Sequence, residues 1–305
     1  MDFAKKRKRK NLSRTLFIIS VLAWPSFCFV WANFVLKINA FTLAFASYEE
    51  TTGEFFYNAG FDNFKKLFLD FSLQKDFKIM LINSAINMAV GVITIPIPIL
   101  VAFMIYKKCP CSGFFIIILF LPSVLSSLIW VLAYKYMLEY VIPVIFDMNN
   151  TISLLLSKKA FVYLQIYGVI IGFAGNLVLY TGTMSRIPTE LIESGHLDGM
   201  NIMQELIYVV LPLIYPTLSV LFIALPVTFF NGSPNTFAFY GPSARAETWT
   251  LGYYFFSILL SSTGEAKRLM YPYASAAGLV FTAIAAPLTF LWKRLLEKLD
   301  PNVQY

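Results

Sequence analysis

Charge is what this chain has least of. Only 13% of its 305 residues are Asp, Glu, Lys or Arg, about half the share found in an ordinary soluble domain. With 58% of residues hydrophobic and a mean hydropathy of +0.68, the chain cannot keep a surface wet, and a bilayer is its natural solvent. Histidine occurs once, as His196, and cysteine three times, as Cys28, Cys109 and Cys111. Three cysteines build no disulfide framework. The Cys109-x-Cys111 pair lacks the further Cys or His ligands that a zinc site requires, so all three read as small reduced thiols. No glycine is followed by lysine, which excludes the G-x-x-x-x-G-K-[ST] loop and leaves the chain without that cradle for a nucleotide. Internal repeats and low-complexity tracts are also missing, so residues 1–305 are read as one domain.

What charge there is sits unevenly. The net charge is +7, and Lys5, Lys6, Arg7, Lys8, Arg9, Lys10 and Arg14 crowd a basic tail at residues 1–15. A basic stretch directly before an apolar span is the mark of a cytoplasmic anchor. No groove-reading module follows it, so no nucleic-acid partner is expected. The apolar stretch behind it is too long for a signal-peptide core and is followed by no small-residue cleavage site.

Six stretches are long and apolar enough to cross a membrane: Leu16–Leu36, Ile79–Ile105, Phe114–Tyr134, Phe161–Tyr180, Leu211–Phe230 and Tyr273–Trp292. None contains Asp, Glu, Lys, Arg or His. The expected fold is an all-α membrane protein with six transmembrane helices and both termini cytoplasmic. On that topology the inner segments hold a majority of the Lys and Arg, over less chain than the outer loops. Pro96 and Pro98 should kink or break the second span; transport pathways and passive packing both use such kinks. The run Phe64, Leu67, Phe68, Phe71 has helical spacing and predicts a helix lying in the interface. Leu251–Leu260 is too short to span and is placed at the membrane surface. Charge-free spans argue against an ion-coupled secondary transporter, the main alternative, which usually carries ionisable groups within its spans. They argue equally against a membrane-embedded enzyme.

One inner segment, residues 185–212, differs from the rest. It runs Ile187-Pro-Thr-Glu-Leu-Ile-Glu-Ser-Gly-His-Leu-Asp-Gly-Met200 and ends in Leu211-Pro212. Locally it reads as helix, turn, helix. Pro188 suits the first helical position, and Glu190 and Glu193 suit the positive end of the helix dipole. Gly199 stands where the chain must turn left-handed. The small pair Ser194-Gly195 leaves a face that another protein can approach closely; a solvated loop helix is the plainer reading of the same residues.

This segment resembles the EAA loop of ABC importer permeases, whose pattern is E-A-A, three residues, G, nine residues, I, one residue, L-P. Glu193-Ser194-Gly195, Gly199, Val209 and Leu211-Pro212 keep every spacing, with Ser and Gly replacing the two alanines and Val replacing Ile. Ile187-Pro188 and Asp198 also match the sugar-importer version. Pro122–Trp130 is similar to a stretch of the third span in maltose-class permeases. Tyr240-Gly241-Pro242 followed by Thr248 is similar to their outer G-G-P…T segment, with Tyr in place of the first Gly.

The resemblance implies a type I importer permease in a bacterial cytoplasmic membrane, with a six-helix core. Glu193, Ser194, Gly195, Asp198, Gly199 and Pro212 are then expected to couple to an ATPase, with His196 facing solvent or the partner. The implied partners are two ATPase subunits, a second homologous permease, an extracytoplasmic solute-binding protein and a sugar substrate. No cofactor is expected on this chain; ATP and Mg belong to the ATPase. Polar, uncharged side chains suit the hydroxyls of a neutral sugar. The expected pathway residues are Asn83, Asn87, Gly172, Gly175, Asn176, Tyr180, Thr228 and Asn231, each of which also fits plain helix packing. A non-sugar solute such as a polyamine or an anion stays open; an anion calls for a buried Arg or Lys.

Overall fold

The computed structural model of the protein describes residues 17–32, 36–49, 52–57, 60–73, 76–110, 112–146, 153–261 and 263–300. Helices dominate. In chain order they are α1 (Phe17–Val30), α2 (Leu36–Leu43), α3 (Asp62–Leu73), α4 (Phe77–Thr94), α5 (Ile97–Tyr106) and α6 (Ser112–Val124). There follow α7 (Ser127–Ile145), α8 (Ala160–Met184), α9 (Thr189–Leu197) and α10 (Ile202–Asn231). The last three are α11 (Thr236–Tyr240), α12 (Leu251–Ser261) and α13 (Gly264–Lys298). The expectation of a purely helical chain needs one amendment. Strands β1 (Ala46–Glu49) and β2 (Glu54–Tyr57) form an antiparallel hairpin with Ala46 opposite Tyr57 and Glu49 opposite Glu54.

Among the described residues, five helices are long and apolar enough to cross a membrane: Phe77–Tyr106 (α4 with α5), α7, α8, α10 and Ala266–Lys298 within α13. Two of the six expected spans come out differently. The first is described as helix only over Phe17–Val30, and residues 33–35 lie outside the described ones. The third, Phe114–Tyr134, is two helices. The chain leaves helical geometry at Ser126, whose ψ of 134° makes it the N-cap of a new helix. That helix runs on to Ile145 and takes in Lys135 and Glu139, so the span is not free of charge as expected. An apolar run shows where hydrophobic surface lies but not where the backbone breaks within it.

The Cα arrangement separates into two compact units, residues 17–70 with 263–280 and residues 71–261 with 281–300. In the first, the Asn63 amide donates to the carbonyls of Ala44 (3.0 Å) and Ala46 (2.8 Å) and ties α3 to the hairpin. Leu67 is buried, whereas Phe68 is exposed. In the second, α5, α8 and α10 share a core of Ile99, Phe103, Leu177, Met184, Val210, Ile214 and Leu218. A second cluster joins Val131, Tyr134 and Leu138 of α7 to Leu164 and Tyr167 of α8 and Phe239 of α11. The segment expected at the surface, α12, packs Leu251 and Tyr254 against Met80 of α4. Large apolar side chains such as Ile117, Leu128, Val162 and Val220 point outward. Hydrocarbon is as good a solvent for them as the core, so they need no cover in a bilayer.

The break predicted at Pro96 and Pro98 is present: α4 ends at Thr94 and α5 starts at Ile97. In an unbroken helix the Ile95 carbonyl accepts from the Ile99 N–H, but that N–H bonds Pro96 O instead, at 3.1 Å. A carbonyl orphaned in a membrane interior costs several kcal/mol. Tyr180 answers it: its hydroxyl, fully buried, donates to Ile95 O at 2.7 Å. Tyr180→Phe strands that carbonyl and should lower unfolding stability in detergent by about 1–3 kcal/mol, measured by thermal unfolding; an unchanged midpoint refutes this role for the hydroxyl.

Candidate functional site

Residues 187–212 form the helix–turn–helix that the sequence predicts, with one shift. Pro188, at ψ 132°, is the N-cap of α9 and not its first residue. The exit from α9 is a Schellman turn. Gly199 has φ +81°, Met200 N–H donates to Gly195 O at 3.0 Å, and Gly199 N–H donates to His196 O at 3.1 Å. A Cβ on Gly195 meets the Met200 side chain, so this glycine is where Met200 lies back on α9. The next helix starts at a capping box. Asn201 Oδ1 accepts from Gln204 N–H (2.9 Å), and Gln204 Oε1 accepts from Asn201 N–H (2.8 Å). The Asn-x-x-Gln spacing was legible in the sequence and went unread.

The turn brings Ser194, Gly195, Asp198 and Pro212 to one cleft of about 450 Å³, together with Leu191, Met200 and Tyr208. Glu193 and Gly199, exposed beside it, are not among its lining residues. Leu197 at the apex is 89% exposed.

Beneath this loop lies a cluster that the sequence reading missed. Glu205, at 0% exposure, opens a π-helical segment, Glu205–Val210, inside α10. Its carboxylate accepts from Lys107 Nζ at 2.8 and 3.0 Å, and His196 Nε2 lies 3.2 Å from Oε2. His196 was expected to face solvent or a partner. It is 44% exposed and is turned toward this carboxylate. The available signal was an acid directly before one apolar run and a lysine directly after another.

The expected pathway residues divide in two. Asn83 is buried, and its amide donates to the carbonyls of Glu247 (2.8 Å) and Trp249 (2.9 Å). Like Tyr180, it holds main chain. Asn87 pairs with Gln165, whose Nε2 donates to Oδ1 at 3.2 Å. The Asn87 amide also faces Gly232, where an added Cβ meets its nitrogen. Thr228 bonds back to Leu225 O at 2.7 Å, and Asn231 at the end of α10 is exposed. On α8, Gly172 has Thr94 as its neighbour, Gly175 faces open space, and Asn176 is half-buried. Among the described residues no group of His, Cys, Asp and Glu is arranged to hold a metal ion.

The segment 240–251 seats on α4 through Asn83 and through Ser84, whose Oγ accepts from Leu251 N–H at 3.0 Å. Its own frame is a bidentate pair, Arg245 Nε to Glu247 Oε2 (3.0 Å) and Nη2 to Oε1 (3.1 Å). Arg245 Nη1 and the Tyr240 hydroxyl reach the carbonyls of Leu156 (2.5 Å) and Leu155 (2.6 Å). The hydrogen bonds from Arg245 hold the Glu247 carboxyl below its ordinary value, and burial pushes the Tyr240 hydroxyl up to about 12.

The same architecture occurs in solved transporters. The chain superimposes on a chain of a bacterial ABC transporter involved in the import of the acidic polysaccharide alginate, with a TM-score of 0.71 and 18% identity over 96% of this chain and 99% of that one. A second structure, of a bacterial alginate ABC transporter in complex with an alginate pentasaccharide-bound periplasmic protein, gives a TM-score of 0.72 at 18% identity over 96% and 98%. By fold, then, this is a multi-pass, mainly helical membrane protein that resembles the permease chains of type I ABC importers. In sequence it is similar to the multiple sugar-binding transport system permease protein MsmF of Streptococcus mutans, 27% identical over 265 residues, which cover 84% of this chain and 88% of that protein. No protein-family model matches the chain.

Two outcomes are expected. Asn83→Ala strands two carbonyls and should cost about 1–3 kcal/mol, read as a lower unfolding midpoint with earlier proteolysis within 240–251; unchanged cleavage refutes the anchoring role. Because the Glu247 carboxyl is held low, the stability it lends is present above its ordinary value and is lost as pH falls through the lowered one. Glu247→Gln should therefore flatten the loss of stability between roughly pH 5 and 3; an acid limb identical to wild type excludes this pair as a contributor.

Proposed function

We propose that this chain is the transmembrane permease subunit of an ATP-driven ABC importer for a sugar or oligosaccharide, forming half of the translocation pore and coupling to a cytoplasmic ATPase through residues 185–212. The observation that carries the reading is the apex of that loop. A short helix ends in a rigid Schellman turn that holds Leu197 almost wholly exposed beside a cleft lined by Ser194, Gly195 and Asp198. An exposed large apolar side chain beside a small-residue surface fits a groove on a partner protein. Glu193, Ser194, Gly195, Asp198, Gly199 and Pro212 are the coupling set in this reading, and their spacing is that of the EAA loop.

The pathway proposed for the sugar runs past Asn87, Gly172, Gly175, Asn176, Thr228 and Asn231, with Asn83 and Tyr180 holding the backbone of its wall. The Asn87–Gln165 pair offers uncharged donors and acceptors, which suits hydroxyls. The importer comprises this chain, a second homologous permease, two ATPases that bind ATP and Mg, and an external solute-binding protein. Residues 1–305 act as one permease domain of the six-helix type I form in the bacterial cytoplasmic membrane, with both termini cytoplasmic. Support comes from the fold shared with alginate transporters and from the similarity to a sugar-system permease.

The test is co-purification from native membranes. Wild type should bring down an ATPase and a second permease, and Leu197→Asp should lose the ATPase while keeping its own unfolding midpoint. An absence of any ATPase from wild type removes the importer reading and leaves an ion-coupled carrier in its place.

A further inference from the structure

α9 packs on the core shared by α5, α8 and α10 through Ile192. The Lys107–Glu205–His196 cluster adds a polar link between α9, α10 and the end of α5. Lys107 follows the last residue of α5, where Lys108 turns the chain with φ +53°. Glu205 belongs to the π-helical stretch of α10, and His196 lies in the last turn of α9. We infer that Glu205 is a positioning residue: by accepting from Lys107 on one side and lying 3.2 Å from His196 Nε2 on the other, it makes α9, α5 and the base of α10 move together. The inference rests on the importer reading for its consequence in transport, and on the geometry alone for its effect on α9.

Three observations point the same way. First, Glu205 is fully buried with both carboxylate oxygens engaged by Lys107 Nζ, at 2.8 and 3.0 Å. A charge taken out of water and paired this closely holds its partners in one geometry, and losing either partner leaves an uncompensated charge. Second, the π-helical hydrogen bond from Leu211 N–H to Leu206 O is a local departure from α-helix, placed in the very segment that carries Glu205. Departures of this kind are kept where a side chain must be aimed. Third, the hydrogen-bond ladder between α4 and α5 is interrupted at Pro96, and α5 shares a core with α8 and α10. A push on α9 that reaches Lys107 therefore acts on the α5 side of that interruption.

His196 is the member that can be removed without stranding charge, because Glu205 keeps Lys107. Its Nε2 lies 3.2 Å from Glu205 Oε2.

Two measurements separate this inference from the reading beneath it. In the first, the native cysteines are replaced by serine, a nitroxide is attached at position 197, and its mobility is read by electron paramagnetic resonance in the isolated chain. His196→Ala should free the label, His196→Gln should restore the wild-type spectrum, and the charge swap Lys107→Glu with Glu205→Lys should immobilise it more than either single change. In the second, the complete transporter is reconstituted, and His196→Ala should lower solute moved per ATP hydrolysed by about fivefold or more, the low end of ordinary coupling between sites, with His196→Gln restoring it. A label at position 197 whose spectrum is the same in wild type and His196→Ala overturns the inference, whatever ATPase co-purifies. Wild type that brings down no ATPase overturns the importer reading alone, and the label still decides the role of Glu205.

Discussion

Where water is scarce, as in a bilayer or a packed connection, main-chain groups freed by a helix break must be satisfied from within the protein. Much of this structure follows from that constraint. The break at Pro96 frees the Ile95 carbonyl, and Tyr180 reaches across from α8 to take it. The segment 240–251 is irregular, and Asn83 and Ser84 of α4 supply the donors and acceptor that let it sit there. Tyr253 does the same from α12, with its hydroxyl donating to Gly241 O at 2.8 Å and accepting from Ala244 N–H at 3.1 Å. Among the described residues, most buried polar side chains with a recorded hydrogen bond are thus committed to backbone. The Asn87–Gln165 pair is instead made between side chains.

The arrangement of apolar and polar groups also departs from that of a soluble protein. Ile117, Val162 and Val220 face outward while Asn83, Gln165 and Glu205 are buried. In water this would be unstable. In hydrocarbon the outward groups cost nothing and the inward ones are paired. Two ion pairs sit at irregular connections: Lys107 with Glu205 at the 187–212 segment, and Arg245 with Glu247 in the 240–251 segment. Each group fastens an irregular connection to regular helices, the first through a buried carboxylate and the second through a half-exposed bidentate pair.

A good part of this was legible in the sequence. Four of the six charge-free apolar runs lie within helices long enough to cross a membrane, and Pro96-x-Pro98 declares a break, because both effects are local to the run itself. Gly199 was readable as a left-handed turn because no other residue adopts φ +81° so cheaply. The helix–turn–helix expected over residues 187–212 is present there.

What the sequence could not decide were the relations between distant residues. Nothing near Ser126 in the chain announces that the expected third span ends there and a new helix runs on past Lys135. Nothing near His196 announces that it lies 3.2 Å from a carboxylate nine positions later, itself held by a lysine just past the end of α5. Asn83 and Tyr180 looked like pathway residues because an amide or a hydroxyl in an apolar run must bond something, and the sequence does not say what. Membrane insertion is settled by the hydrophobicity of each segment, which composition alone fixes. Partner choice for a buried polar group is settled by which helices pack side by side, and only the tertiary structure decides that.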